Sequence, residues 1–354
     1  MSDAANPGFH DPPPTTPFEV IDEHGLLRLR HYAAVGGMPA ATPVLLVYSL
    51  FKRPYVLDLM PERSIVRSLT SQGFSVYLAD WQPPSAKDAS RGLDAYVNED
   101  LAHAIECVRK RERVERVALI GCCFGGLLAL IYTALYPRNV SHFVPFALSI
   151  KLRPQLFPAA IEWLAQIYGN VPAWWIHAGL NARVPSPPEI AGYLARDFGE
   201  PELERGPESA VQRALMRWFD SDVPLSGQVF CEVMRDAYWY GQLAENRLNV
   251  GGRRVALEDI RCPVLNISAE HDRLVPPEST APLVALVGSR ESRNIVFPTG
   301  HLGLMVSLAA HQRLWPGVGL WIRSRVARRE HDRSSTPTGP RPLAQVESRP
   351  STSV

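Results

Sequence analysis

The sequence predicts an α/β fold: a doubly wound, mostly parallel sheet carrying an inserted helical cap. Three observations lead there. Short apolar runs at residues 44–48, 74–81, 117–120, 262–268 and 294–297 alternate with stretches of helical period, as expected where crossover helices join parallel strands. Between one such run and an apolar, helix-compatible stretch to Leu135 stands Gly121-Cys122-Cys123-Phe124-Gly125, the strand–turn–helix context of a nucleophile elbow. From residue 151 to 250 the alternation stops and proline, tryptophan and tyrosine accumulate, which reads as a helical insertion rather than more sheet.

Residues 1–20 contain Pro12-Pro13-Pro14 and little apolar content, and are expected to form a flexible tail. The sheet core is expected over residues 21–150 and again over 251–328. Residues 42–48 read as a first buried strand leading into the loop Ser49-Leu50-Phe51-Lys52-Arg53-Pro54. Residues 64–72 read as a short helix, with Ser64 placed to cap it and Gly73 to end it. Residues 74–81 give the next strand, and Leu93, Val97, Leu101, Ile105 and Val108 have helical spacing over 93–110. The elbow strand follows, then a further strand at 142–148.

Within the cap, helices are expected at 158–168 and 211–219. Trp174-Trp175 and Tyr238-Trp239-Tyr240 read equally well as walls over a pocket and as the cap's own core. The sheet resumes at 262–268, ends at 294–297, and is closed by a last helix over 314–326. Arginine, serine and proline dominate the remainder, so residues 329–354 are expected to be disordered. In such sheets ligands bind at the carboxyl ends of the strands, so the exits after Tyr48, Asp80 and Ile120 should share one rim.

Composition excludes several function classes. The chain has 354 residues, 46% hydrophobic and 21% charged, with a net charge of +1. That is ordinary for a soluble globular protein and gives no electrostatic case for nucleic acid. Five cysteines, two of them adjacent, form no plausible disulfide framework. No signal peptide and no membrane span are expected, so a reducing cytoplasm is the expected location. No metal-ligand spacing is visible among the Cys and His residues.

At the elbow the turn is sharp, so the positions two before and two after the nucleophile must be small. Cys123 has Gly121 and Gly125 at those positions, whereas Cys122 would have Ile120 and Phe124. Cys123 is therefore the expected nucleophile, and Cys122 a small buried apolar residue. A helix N-terminus favours a thiolate, and the Phe124 N–H would face a developing oxyanion.

A thiol nucleophile needs a base, and the base needs an orienting acceptor. His301, in Gly300-His301-Leu302-Gly303, is the expected base, and Asp272, in His271-Asp272-Arg273-Leu274-Val275-Pro276-Pro277, the expected acid. A plain turn aspartate is the other reading of Asp272. The order Cys123, Asp272, His301 is that of the triad of the α/β-hydrolase fold. Glu270 and His271 are expected to be structural, and His103, His142 and His177 have no partner pattern.

Gly121-Cys122-Cys123-Phe124-Gly125-Gly126 resembles the modified lipase box of polyhydroxyalkanoate synthases, whose nucleophile is cysteine. The resemblance extends over residues 44–307, through Arg53-Pro54-Tyr55-Val56-Leu57-Asp58-Leu59, Val76-Tyr77-Leu78-Ala79-Asp80-Trp81, Trp218-Phe219-Asp220-Ser221-Asp222-Val223-Pro224, Asn246-Arg247-Leu248 and the acid and histidine loops. Ala147-Leu148-Ser149 departs from it, standing where the family usually shows an Asp-Phe pair. The length is similar to that of the short synthases that work with a second, unrelated subunit.

The resemblance implies polymerisation of (R)-3-hydroxyacyl-CoA with release of CoA. It implies Cys123 as acyl carrier, His301 as base and Asp272 as its orienting acid. The thioester is a substrate, and no cofactor or metal is expected. Phe124 and Leu50 are the expected oxyanion donors. Partners are 3-hydroxyacyl-CoA, the growing polyester, a second synthase subunit and a second copy of the chain as a homodimer; the place of work is the surface of polyester granules. Two rivals stand: a cysteine hydrolase on the same fold (a polyester depolymerase or thioesterase) that admits water to the acyl-enzyme, and a non-enzymatic granule or scaffold protein with a decayed site.

Overall fold

The computed structural model describes residues 14–36, 39–152, 158–176 and 210–334, with side chains described to residue 324. Eight strands form one sheet. They are β1 (Glu19–His24), β2 (Leu27–Tyr32), β3 (Val44–Val47), β4 (Val76–Trp81), β5 (Val117–Cys122), β6 (Val140–Phe146), β7 (Val264–Ala269) and β8 (Ser292–Phe297). Their spatial order is β1-β2-β4-β3-β5-β6-β7-β8. The run from β4 to β8 is parallel throughout, and β1 and β2 add an antiparallel hairpin at one edge.

The central strands are apolar and buried along their whole length because helices cover both faces. On one face lie α2 (Ala102–Glu112), entered through a π-helical segment at Ala95–Leu101, and α3 (Cys123–Leu135). On the other lie α1 (Ile65–Thr70) and α6 (Trp315–Ser334), whose Trp315 is fully buried. The Ser64 side chain accepts the Arg67 N–H at 2.9 Å and so caps α1 as expected. The insertion contributes α4 (Pro158–Tyr168) and α5 (Ala210–Phe219), close to the expected bounds, and a π-helical segment at Glu232–Trp239. Residues 177–209, including His177, lie outside the described residues.

Three boundaries differ from expectation. The hairpin β1–β2 was not foreseen: β1 is mostly exposed and polar, so it has no apolar run to announce it. Order also begins before residue 21, because Asp58 accepts both the Thr16 N–H and the Thr16 hydroxyl, each at 2.8 Å. At the other end α6 continues to Ser334, past the expected stop at 326.

Candidate active site

β5 ends at Cys122, which is extended at φ −101 and ψ 127, and the chain turns at Cys123 into α3. Cys123 has φ 48, a left-handed conformation rare for a side chain of its size. Strain of this kind costs on the order of 1–3 kcal/mol and persists only where the surroundings enforce it. Here the two flanking glycines enforce it. A Cβ on Gly121 would lie 2.6 Å from the Gly126 Cα, and one on Gly125 would lie 2.3 Å from the Tyr48 carbonyl oxygen. The elbow is thus pressed against its own helix on one side and against the exit of β3 on the other.

The frame separates the two thiols. Cys122 is buried, and its thiol lies 3.8 Å from the Met305 sulfur. Burial, and then the neighbouring Cys123 and Asp272, push the Cys122 thiol well above its ordinary pKa. Cys123 is half-buried and stands in hydrogen-bond contact with His301.

His301 Nδ1 lies 2.7 Å from Asp272 Oδ2. The Asp272 side chain is fully buried, and its other oxygen accepts the backbone N–H groups of Leu274 at 2.9 Å and Val275 at 2.8 Å. One oxygen thus lies in the turn and the other against the histidine. Burial pulls the His301 pKa down. The adjacent Asp272 carboxylate, its hydrogen bond and the contact with Cys123 outweigh it and raise the imidazole to about 10. The structure thus brings together all three residues picked from the sequence.

Leu50 lies in the β3 exit loop with its side chain buried in the core beneath α3, and the Phe124 ring meets Phe51 edge-on at 5.9 Å. Phe124 is the second residue of α3, where a backbone N–H has no intrahelical acceptor.

Sequence assigns no site role to Tyr48, Ser49 and Ser149, and marks Tyr238 as a pocket wall or part of the cap's own core. Burial, and then the neighbouring Cys122 and Cys123, push the Tyr48 hydroxyl well above its ordinary pKa. Tyr238 is also raised by burial and by Cys123, and its hydroxyl donates to the Ser149 carbonyl at 3.2 Å. The Ser49 and Ser149 hydroxyls are buried with no hydrogen-bond partner among the described residues. Only their position at strand exits signalled them. Of the aromatics read as pocket walls, Trp174 is 60% exposed and touches Tyr168 and Trp175 at its edges, so it faces solvent. Trp175 and Tyr238 pack partly against the core.

The family model described as serine aminopeptidase, S33 matches residues 62–302. A curated poly(3-hydroxyalkanoate) polymerase subunit PhaC from Haloferax mediterranei is 34% identical over 322 residues, covering 88% of this chain and 64% of its own. The chain therefore spans just under two thirds of that relative. The subunit of the same name from Allochromatium vinosum is 30% identical over 88% of this chain and 89% of its own. Among solved structures, a thermophilic esterase from Thermogutta terrifontis superposes with a TM-score of 0.52 at 16% identity, over 84% of this chain and 94% of its own. That likeness shows the α/β-hydrolase fold. The chain belongs to the poly(3-hydroxyalkanoate) polymerase subunit PhaC family, within the serine aminopeptidase S33 group of α/β hydrolases, with cysteine in place of the elbow serine.

Proposed function

We propose that this chain is a poly(3-hydroxyalkanoate) synthase acting through a Cys123–His301–Asp272 triad. Family membership supports the reaction class, and one observation carries the mechanism: a cysteine strained at φ 48 contacts His301, which is itself held at 2.7 Å by a buried carboxylate. The Cys123 sulfur attacks the thioester carbonyl of (R)-3-hydroxyacyl-CoA. The Phe124 and Leu50 N–H groups hold the oxyanion that forms. His301, drawn to its protonated form by Asp272, already carries the proton taken from the Cys123 thiol and delivers it to the leaving CoA sulfur as the carbon–sulfur bond to CoA breaks. Thioester is exchanged for thioester, so the step is near energetic balance.

The acyl group on Cys123 is then attacked by a 3-hydroxyl, whose proton passes to His301. This forms the ester and frees the Cys123 sulfur, with the proton again held by the His301–Cys123 pair. No cofactor is invoked, because the substrate carries its own leaving group. Tyr238 and the cap around it keep water from the acyl-enzyme, which favours polymer over free acid. The working unit is a homodimer that also engages a second synthase subunit. The exposed Trp163, Ile167 and Trp174 offer it an apolar surface, and the polyester granule is the expected place of work. Among the described residues, no helix is long and apolar enough to cross a membrane.

Purified protein incubated with 3-hydroxybutyryl-CoA should release CoA and form polymer, with more polymer when the second subunit is added. Release of CoA with free 3-hydroxy acid as the sole product would instead make the chain a cysteine thioesterase.

A further inference from the structure

Outside the elbow, the described residues hold one group of metal-ligating side chains. Asp22, His103 and Cys107 each present a ligand atom, and the three atoms lie within 4.8 Å of one another. His103 Nε2 is the vertex, 2.9 Å from Asp22 Oδ2 and 3.4 Å from Cys107 Sγ. We propose that these three side chains form a site for one borderline divalent transition-metal ion of the zinc class, joining strand β1 to helix α2. The proposal is independent of the synthase reading.

The local structure explains how residues so far apart in sequence converge. His103 and Cys107 are four apart on α2, so they project from one face. Asp22 arrives through an irregularity in the edge hairpin: pairing shifts between Val20↔Arg30 and Asp22↔Leu29, leaving Ile21 as an extra residue. A bulge of this kind re-aims side chains. It lets Ile21 pack on the core beneath α2 while Asp22 reaches His103. The His24 ring then stacks on the His103 ring at 4.2 Å and 16°, which fixes the plane of the imidazole.

The donor set suits zinc in kind and spacing. Thiolate, imidazole and carboxylate are its usual ligands, at about 2.0–2.3 Å, so at tetrahedral angles they stand about 3.3–3.6 Å apart. The sulfur–nitrogen contact already matches that spacing, and the nitrogen–oxygen contact opens by a few tenths of an ångström. Both are polar contacts to the same Nε2, and a metal ion set among the three ligand atoms would face all of them. His103 is 40% exposed and Asp22 28%, so ions have access and water can fill the fourth position. Binding releases the Cys107 thiol proton to solvent and holds His103 as the Nδ1–H tautomer, leaving a thiolate and a neutral imidazole on the ion.

The experiment uses the untagged full chain, reduced, in a Cys123→Ala background so that the elbow thiol adds no signal. Titration with Co²⁺ should give, at one equivalent, a thiolate-to-cobalt charge-transfer band and the intense visible bands of a tetrahedral site, both bleached by Zn²⁺. Cys107→Ser should remove the charge-transfer band. Asp22→Asn should keep the band but weaken binding by more than the ~10–100-fold that follows loss of an outer-shell partner. Zn²⁺ should raise the melting temperature of the parent and leave that of Cys107→Ser unchanged. Circular dichroism would show that each variant is folded. Absence of a thiolate band at stoichiometric Co²⁺ would reduce the cluster to a His103–Asp22 ion pair and overturn the proposal. A band surviving Cys107→Ser would overturn it as well.

Discussion

Nδ1 of His301 sits 2.7 Å from Oδ2 of Asp272, while the other oxygen of the same carboxylate is bound by the Leu274 and Val275 amides. The carboxylate cannot swing away without breaking its own loop, so the imidazole is held in one orientation. Nε2 is thereby left to face Cys123.

The elbow frame yields the first prediction. Cys123→Ala should abolish CoA release, whereas Cys122→Ala should retain most of it, because Cys122 is turned into the core toward Met305. CoA release by both single variants, with both shown to be folded, is the comparison. Equal loss would mean the frame is misassigned.

Removing the base should slow acylation. His301→Gln is expected to lower the rate of Cys123 acylation by about two to four orders of magnitude, the usual worth of a positioned general base. A single-turnover assay with 3-hydroxybutyryl-CoA reads this directly, and near-normal acylation would take His301 out of the mechanism.

The pH dependence follows from the Asp272 contact. With His301 raised to about 10, the imidazole keeps its proton through neutral pH, and acylation should fall off on the alkaline side near there. The sign for stability is the same. A raised histidine pKa contributes stability fully below the unfolded value of about 6.5, and loses it as pH rises through the folded value. In Asp272→Asn the alkaline limb should move down toward the ordinary imidazole range. An unmoved limb in that variant would assign the titration to another group.

The close approach at the elbow predicts a steep cost for one methyl group. Gly125→Ala would place a Cβ 2.3 Å from the Tyr48 carbonyl oxygen and 2.4 Å from that of Val47. Backbone cannot yield as a side-chain tip can, so a loss of more than about 3 kcal/mol is expected, at or above the usual overpacking range. Gly317→Ala, in α6 with nothing within 4 Å, should be neutral or slightly stabilising. Denaturant midpoints of the two variants test the contrast.

Tyr238 carries the prediction about water. Tyr238→Ala should raise the ratio of free 3-hydroxy acid to polymer while Cys123 stays reactive, since the Tyr238 hydroxyl ties the insertion to the Ser149 carbonyl beyond β6. Trp174→Ala should leave the ratio unchanged, because Trp174 faces solvent. Product analysis of the two variants decides whether the cap seals the site through Tyr238.

The parallel core was legible in the sequence because buried central strands must be continuously apolar and their crossover helices must repeat at 3.6 residues. The elbow was legible for an equally local reason: Gly121 and Gly125 are demanded by the turn itself, so spacing alone chose Cys123 over Cys122. Chain order then pointed to Asp272 and His301. Tertiary structure decided what spacing cannot carry. That Asp272 serves the turn and the histidine together depends on β7 and β8 lying side by side. That Tyr238 is held to the Ser149 carbonyl while Trp174 faces solvent depends on how the insertion folds. The hairpin β1–β2 left little trace because an exposed edge strand needs no apolar run. For the same reason His103 looked solitary: its partners are Cys107, one helical turn away, and Asp22, brought 81 positions along the chain by a bulge that only the folded sheet creates.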